Sequence, residues 1–168
     1  ISILFLVPSS MMSTISALVA QNIGAGKHDR AKLTLKYVLM ITVTYGLIMT
    51  IIVQFVSVPL VGLFTNDGAV AVSGAGYLRS YASDCIFAGI HFCLSGYFYA
   101  YGLSVISFIH NSISIVCARI PLSYYASVHF KDTLFPMGLA TAAGSLTSVV
   151  ICLIAYSYLR RRQKKDAV

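Results

Sequence analysis

Ala20-Gln21-Asn22-Ile23-Gly24-Ala25-Gly26-Lys27-His28-Asp29-Arg30-Ala31 lies between two long apolar runs and is unlike either. Gly24 and Gly26 are expected to break the preceding helix, because glycine reaches positive φ without steric cost. Asp29 is placed to cap the helix that follows. Lys27, Arg30, Lys32 and Lys36 set a basic cluster beside the turn. In a membrane protein a short basic loop marks the cytoplasmic side. The Gly24–Lys36 region is therefore read as cytoplasmic, and it sets the direction of every other segment.

The composition supports the membrane premise. The chain has 168 residues, 58% hydrophobic and 10% charged, where a soluble domain carries roughly 25% charged residues. Lipid, not water, is expected to surround most of the surface. The net charge of +7 comes from 12 basic and 5 acidic residues. The basic residues gather beside the turn and in Arg160-Arg161-Arg162-Gln163-Lys164-Lys165, flanking apolar helices. That is a topology pattern with some attraction to anionic lipid, and it argues against nucleic acid as a partner. Cys85, Cys93, Cys117 and Cys152 all fall inside apolar runs and are read as packing residues. Zinc-ligand spacing, a phosphate loop and a nucleophile elbow are absent from the sequence. Ile1 opens the chain inside an apolar run, without the flanks of a signal peptide. The expectation is a fragment whose preceding residues are missing.

A span needs roughly 20 apolar residues. The first run, Ile1 to Gln21, holds Pro8 and is read as truncated. Its Ser9, Ser13 and Ser16 form a small polar face suited to close helix contact. The second run, Leu33 to Val58, is expected to stop at Pro59, with Leu60 to Phe64 as a short interfacial piece. The turn Thr65-Asn66-Asp67-Gly68 lacks Lys and Arg, as an outer loop should. The third run extends from about Val70 to Tyr101 and ends at Gly102. The fourth runs from near Leu103 to Val128, with Pro121 kinking its outer part, and His129-Phe130-Lys131-Asp132 is the next outer loop. Arg119, roughly 24 Å along the helix from Leu103, is expected to snorkel to the outer interface. The fifth run, Leu134 to Leu159, carries Gly138, Ala142 and Ser145 on one face and Ala140, Gly144 and Ser148 on another. The reading is an all-α, polytopic membrane helix bundle of about five transmembrane helices. Residues 1–159 form the membrane part and residues 160–168 a basic cytoplasmic tail.

Three stretches resemble a known family. Ala20 to Gly26 with its basic residues and Asp29-Arg30-Ala31 is similar to a cytoplasmic helix connection of the multidrug and toxic compound extrusion (MATE) transporters. Ala118-Arg119-Ile120-Pro121-Leu122 resembles their second-last helix. Phe135-Pro136-Met137-Gly138-Leu139-Ala140, followed by Gly144-Ser145, resembles the start of the last. The resemblance implies helices eight to twelve of twelve, a partial six-helix lobe that forms half of a central cavity with a missing N-terminal lobe. It also implies a multi-pass protein of the cell inner (plasma) membrane, with lipids and a small-molecule substrate as partners, and no enzyme.

Asp84 is the only acidic residue inside a run, and ionised carboxylates are costly in hydrocarbon. Tyr77, Tyr81, Asp84, His91 and Ser95 share one helical face. A carboxylate there can hold a cation or take up a proton. The structural alternative is that Asp84 pairs with Arg79, five positions away and poorly placed for an intrahelical pair, or with a hydroxyl, and locks two helices. His91 is either a hydrogen-bonding core residue or a ligand. Ser107, His110 or Asn111, and Ser114 share a face of the fourth run, for packing or for lining the cavity. The candidate ion or substrate residues are Asp84, Tyr81, His91, Ser95, Asn111 and His110. Gly24, Gly26, Arg119 and Pro121 are assigned structural roles. Neither a metal nor a cofactor is expected beyond Na+ or H+ as coupling ion.

The function so implied is a secondary antiporter exporting cationic or amphipathic small molecules, drugs and toxins among them, by alternating access. A lipid-precursor flippase of the same superfamily is the alternative, though it would want a strongly cationic cavity. A membrane enzyme using Asp84 and His91 is weak, since they stand two helical turns apart, roughly 10 Å. A noncatalytic membrane scaffold is the remaining rival, which the long polar face on the third run argues against.

Overall fold

In hydrocarbon a long apolar run must satisfy its backbone N–H and C=O groups internally, and the α-helix does so. The computed structural model describes residues 2–131 and 133–166, with side chains through residue 161, and every regular element among them is helical. Helix α1 spans Ser2–Gly24, α2 His28–Gly62, α3 Gly68–Ala82, α4 Asp84–Ala100 and α5 Ser104–Ile113. A π-helical segment follows at Ser114–Arg119, then α6 at Ile120–His129 and α7 at Phe135–Asp166. Among the described residues, four stretches are long and apolar enough to cross a membrane: Ser2–Gly24, His28–Gly62, Ser104–His129 and Phe135–Arg161. The fifth apolar run is divided between α3 and α4. The architecture is the expected all-α membrane bundle.

Several boundaries differ from expectation. Helix α1 is 23 residues long, about 34 Å, which exceeds a hydrocarbon core of roughly 30 Å. The first run is therefore a span of full length. Helix α2 continues through Pro59 to Gly62, because a break in lipid would expose more backbone groups than the one donor proline lacks. Helix α7 runs unbroken to Asp166, so residues 160–166 continue the helix. Ala167 and Val168 lie outside the described residues, as do the side chains of Arg162, Lys164 and Lys165.

The opening turn is built differently from its sequence reading. Gly24 remains helical, and Gly26 alone in this turn takes positive φ, at 70°. Lys27 N–H donates to the Asn22 carbonyl at 2.8 Å and Gly26 N–H to Ile23 at 2.9 Å, a Schellman closure of α1. Lys27, not Asp29, is the N-cap of α2, and it makes no side-chain cap bond. Asp29 sits in the first turn, where its charge suits the helix dipole, and pairs with Lys32 at 3.1 Å. The same closure recurs at Gly102, where φ is 72°, with Leu103 N–H on Phe98 and Gly102 N–H on Tyr99. His28 Nδ1 lies 3.4 Å from the Tyr101 hydroxyl, so these two turns share one end of the bundle. Tyr156 packs edge-on against Tyr97 one turn before, which brings the basic end of α7 to that end too.

Close helix crossings come from glycine. A Cβ on Gly96 of α4 would strike the Met12 carbonyl and Ile15 of α1. One on Gly138 of α7 would lie 2.8 Å from both the Tyr77 carbonyl oxygen and the Tyr81 nitrogen of α3. These small residues let backbones approach. The serine face expected on α1 does not pack in this way: Ser9 and Ser13 are exposed, and the buried face is Leu4, Pro8, Ile15 and Val19. On α7, Gly138, Ala140, Ala142, Gly144, Ser145 and Ser148 are all buried, so α7 packs on both sides. One apolar core gathers Ile15, Val19, Leu35, Leu94, Tyr97 and Phe98. A smaller one joins Leu4, Val53, Leu78 and Ala82. A polar layer links α4, α5, the π segment and α7.

Candidate polar site at the helix break

The third run breaks at Ser83. Ile86 N–H bonds to the Ser83 carbonyl instead of continuing the α-pattern, at 3.3 Å. The Ala82 carbonyl is taken by Thr50 Oγ1 at 3.0 Å, and that of Arg79 by Gln54 Nε2 at 3.2 Å, both from α2. Ser83 Oγ donates to the Ser80 carbonyl at 2.7 Å. Side chains thus hold the carbonyls that the break frees, as buried backbone requires. The break makes Asp84 the first residue of α4, where the positive end of the helix dipole favours a carboxylate. Ser83 keeps helical dihedrals, φ −62° and ψ −26°, so the interruption is a local change of hydrogen bonding and not an unwound segment.

Asp84 is fully buried. Its Oδ2 lies 3.4 Å from Arg119 Nη2, and the same nitrogen donates to Ser145 Oγ at 3.1 Å. Asp84 Oδ1 and Arg119 Nε are buried without a hydrogen-bond partner. Arg119, expected to reach outward, turns instead onto the carboxylate. It ends the π segment, just before Pro121. A π segment widens the turn where proline has no donor and crowds the preceding carbonyl. It also shifts the helical register: beyond it Ala126 is buried and Tyr125 exposed, whereas a straight continuation from Ala118 favours position 125. Gly144 leaves room for the arginine, since a Cβ there would lie 3.1 Å from Arg119 Cβ. Arg79, five positions from Asp84 and poorly spaced for an intrahelical pair, donates instead to Ser57 Oγ on α2 at 2.7 Å.

His110 continues the layer. Its Nε2 lies 2.9 Å from Ser95 Oγ on α4 and its Nδ1 3.2 Å from Ser148 Oγ on α7. Ser148 Oγ also lies 3.4 Å from the His110 carbonyl. A neutral imidazole, donating from one ring nitrogen and accepting at the other, satisfies both serine contacts. His91 meets the His110 ring edge-on, with centroids 5.8 Å apart, while its Nδ1 has no hydrogen-bond partner. Ser114 Oγ donates to the Gly144 carbonyl. The structure thus brings His91, Ser95 and His110 together, with Asp84 about two turns earlier on α4. Tyr81, three residues before Asp84, packs its ring against Phe5 and Tyr77. Asn111 is exposed and lines an open groove with Tyr99, Ser104 and Phe108. Sequence reading missed Ser145 and Ser148 as site partners, and the small-residue faces of the fifth run were their signal.

A family model, MatE, matches residues 1–125. The chain belongs to the MatE family. It is a MATE-type transporter, and its long apolar helices fit a multi-pass membrane protein. The matched region contains Asp84, His91, Ser95, His110 and Arg119, whereas Ser145 and Ser148 lie beyond it. No curated protein and no solved structure matches the chain.

Proposed function

We propose that this chain forms one lobe of a secondary antiporter, exporting cationic or amphipathic small molecules in exchange for Na+ or H+ by alternating access. The single observation behind this reading is the Asp84 carboxylate: fully buried, with one oxygen against Arg119 and the other unpartnered. An unsatisfied buried oxygen costs about 1–3 kcal/mol, and more when charged. A cation or proton arriving there removes that cost. Coupling ion and cationic substrate would then compete for one carboxylate, so binding of either promotes release of the other, which is the thermodynamic content of antiport. His91, Ser95 and His110 extend the polar wall, and Tyr81 and Asn111 are its outlying members. The membrane is the plasma membrane, with the Gly24–Lys36 end inside, as the basic clusters at that end favour.

The test is flux. The full-length transporter in liposomes loaded with a lipophilic cation such as tetraphenylphosphonium should release it when a sodium or pH gradient is imposed. Efflux that ignores both gradients would contradict the antiport reading.

A further inference from the structure

We infer that Arg119 is a tethered competitor for the cation that Asp84 takes, and so sets the affinity of the site. This rests on the reading of Asp84 just given. The ion pair is only half made. A guanidinium and a carboxylate can form two parallel hydrogen bonds, yet here a single 3.4 Å contact joins them, and Oδ1 and Nε stay unused. The partners are also unequal: the Asp84 side chain is 1% exposed and that of Arg119 37%. The arginine is thus the accessible end of the pair. Its Nη2 already donates to a second acceptor, Ser145 Oγ at 3.1 Å, which can retain it when the carboxylate is taken.

These features define an exchange. With the site empty, Arg119 neutralises Asp84. A cation on the carboxylate cancels that attraction and places a like charge beside the guanidinium, so Arg119 gives up Asp84 and keeps the Ser145 hydroxyl that it already holds. The contact that opens joins α4, immediately after the break at Ser83, to the last residue of the π segment. Cation occupancy is thereby linked to the separation of two interrupted spans. The competition is between positive charges, and small inorganic and organic cations face it alike.

The experiment compares wild type, Asp84→Asn, Arg119→Gln and the double variant of the full-length protein in detergent. Binding of Na+ and, separately, of tetraphenylphosphonium is measured by equilibrium dialysis at fixed pH. Arg119→Gln retains a donor for Ser145 and loses the charge. It should bind at least one of the two probes tenfold or more tightly, while Asp84→Asn and the double variant bind neither well. A gain below threefold for both probes, with Asp84→Asn still abolishing binding, overturns the competitor role and leaves Asp84 as the site. Unchanged binding in Asp84→Asn overturns the Asp84 reading itself. If Arg119→Gln does not fold, Arg119→Lys serves instead. Its shorter reach and missing fork weaken the pair, so at least threefold tighter binding is expected, and a smaller gain or a loss overturns the inference.

Discussion

Replacing Gly138 by alanine tests the packing that holds the site together. The added Cβ would lie 2.8 Å from the Tyr77 carbonyl oxygen and 2.8 Å from the Tyr81 nitrogen, and would also strike Ser80 Oγ. The serine can rotate, but the two backbone atoms cannot move without α3. Ordinary contact begins near 3.4 Å, so α7 and α3 must part by about 0.6 Å. Overpacking of this kind costs about 1–3 kcal/mol, and alanine's better helix propensity returns up to about 1 kcal/mol. A net loss of about 1 kcal/mol is expected. Gly76 is the internal control: it lies in α3, and a Cβ there meets nothing within 4 Å. Gly76→Ala should therefore stabilise by about 0.5–1 kcal/mol. Both variants can be measured by reversible unfolding in mixed detergent–SDS micelles. A Gly138→Ala protein as stable as wild type would refute the close crossing of α3 and α7. Because Ser145 lies two turns farther along α7, the same shift should also weaken cation binding at Asp84.

Thr50→Val removes the donor to the Ala82 carbonyl and should cost about 1 kcal/mol in the same assay; no change would mean that the break does not depend on α2. Cysteines introduced at Asp67 and Lys131 should react with impermeant reagents from outside the cell, and one at His28 should not. The reverse pattern would invert the topology.

Much of the architecture was legible because hydrophobic length and basic clusters follow from lipid physics alone. The five runs and the two turns near Gly26 and Gly102 belong to that class. The break at Ser83 was not legible, since no proline or glycine marks it. It is sustained by Thr50 and Gln54 on α2, more than 20 residues away in sequence. The direction of Arg119 was hidden for a related reason. Counting at 3.6 residues per turn assumes an unbroken α-helix, and the π segment before Pro121 shifts that register. Asp84 stood out as the sole acid inside a run, but its partner lies 35 residues away, beyond any helical spacing. Ser145 and Ser148 read as packing residues, and only the fold shows them turned onto Arg119 and His110.

The most direct measurement takes Asp84→Asn in the full-length protein and follows gradient-driven efflux alongside unfolding stability. Asparagine keeps the size and an acceptor for Arg119 Nη2, and the arginine retains Ser145 and partial exposure. The stability cost should therefore stay near 1 kcal/mol or below. Efflux should fall by at least tenfold and lose its response to sodium or pH, because the charge that exchanges cations is gone. A well-folded Asp84→Asn protein with wild-type efflux at every sodium concentration and pH would contradict the account.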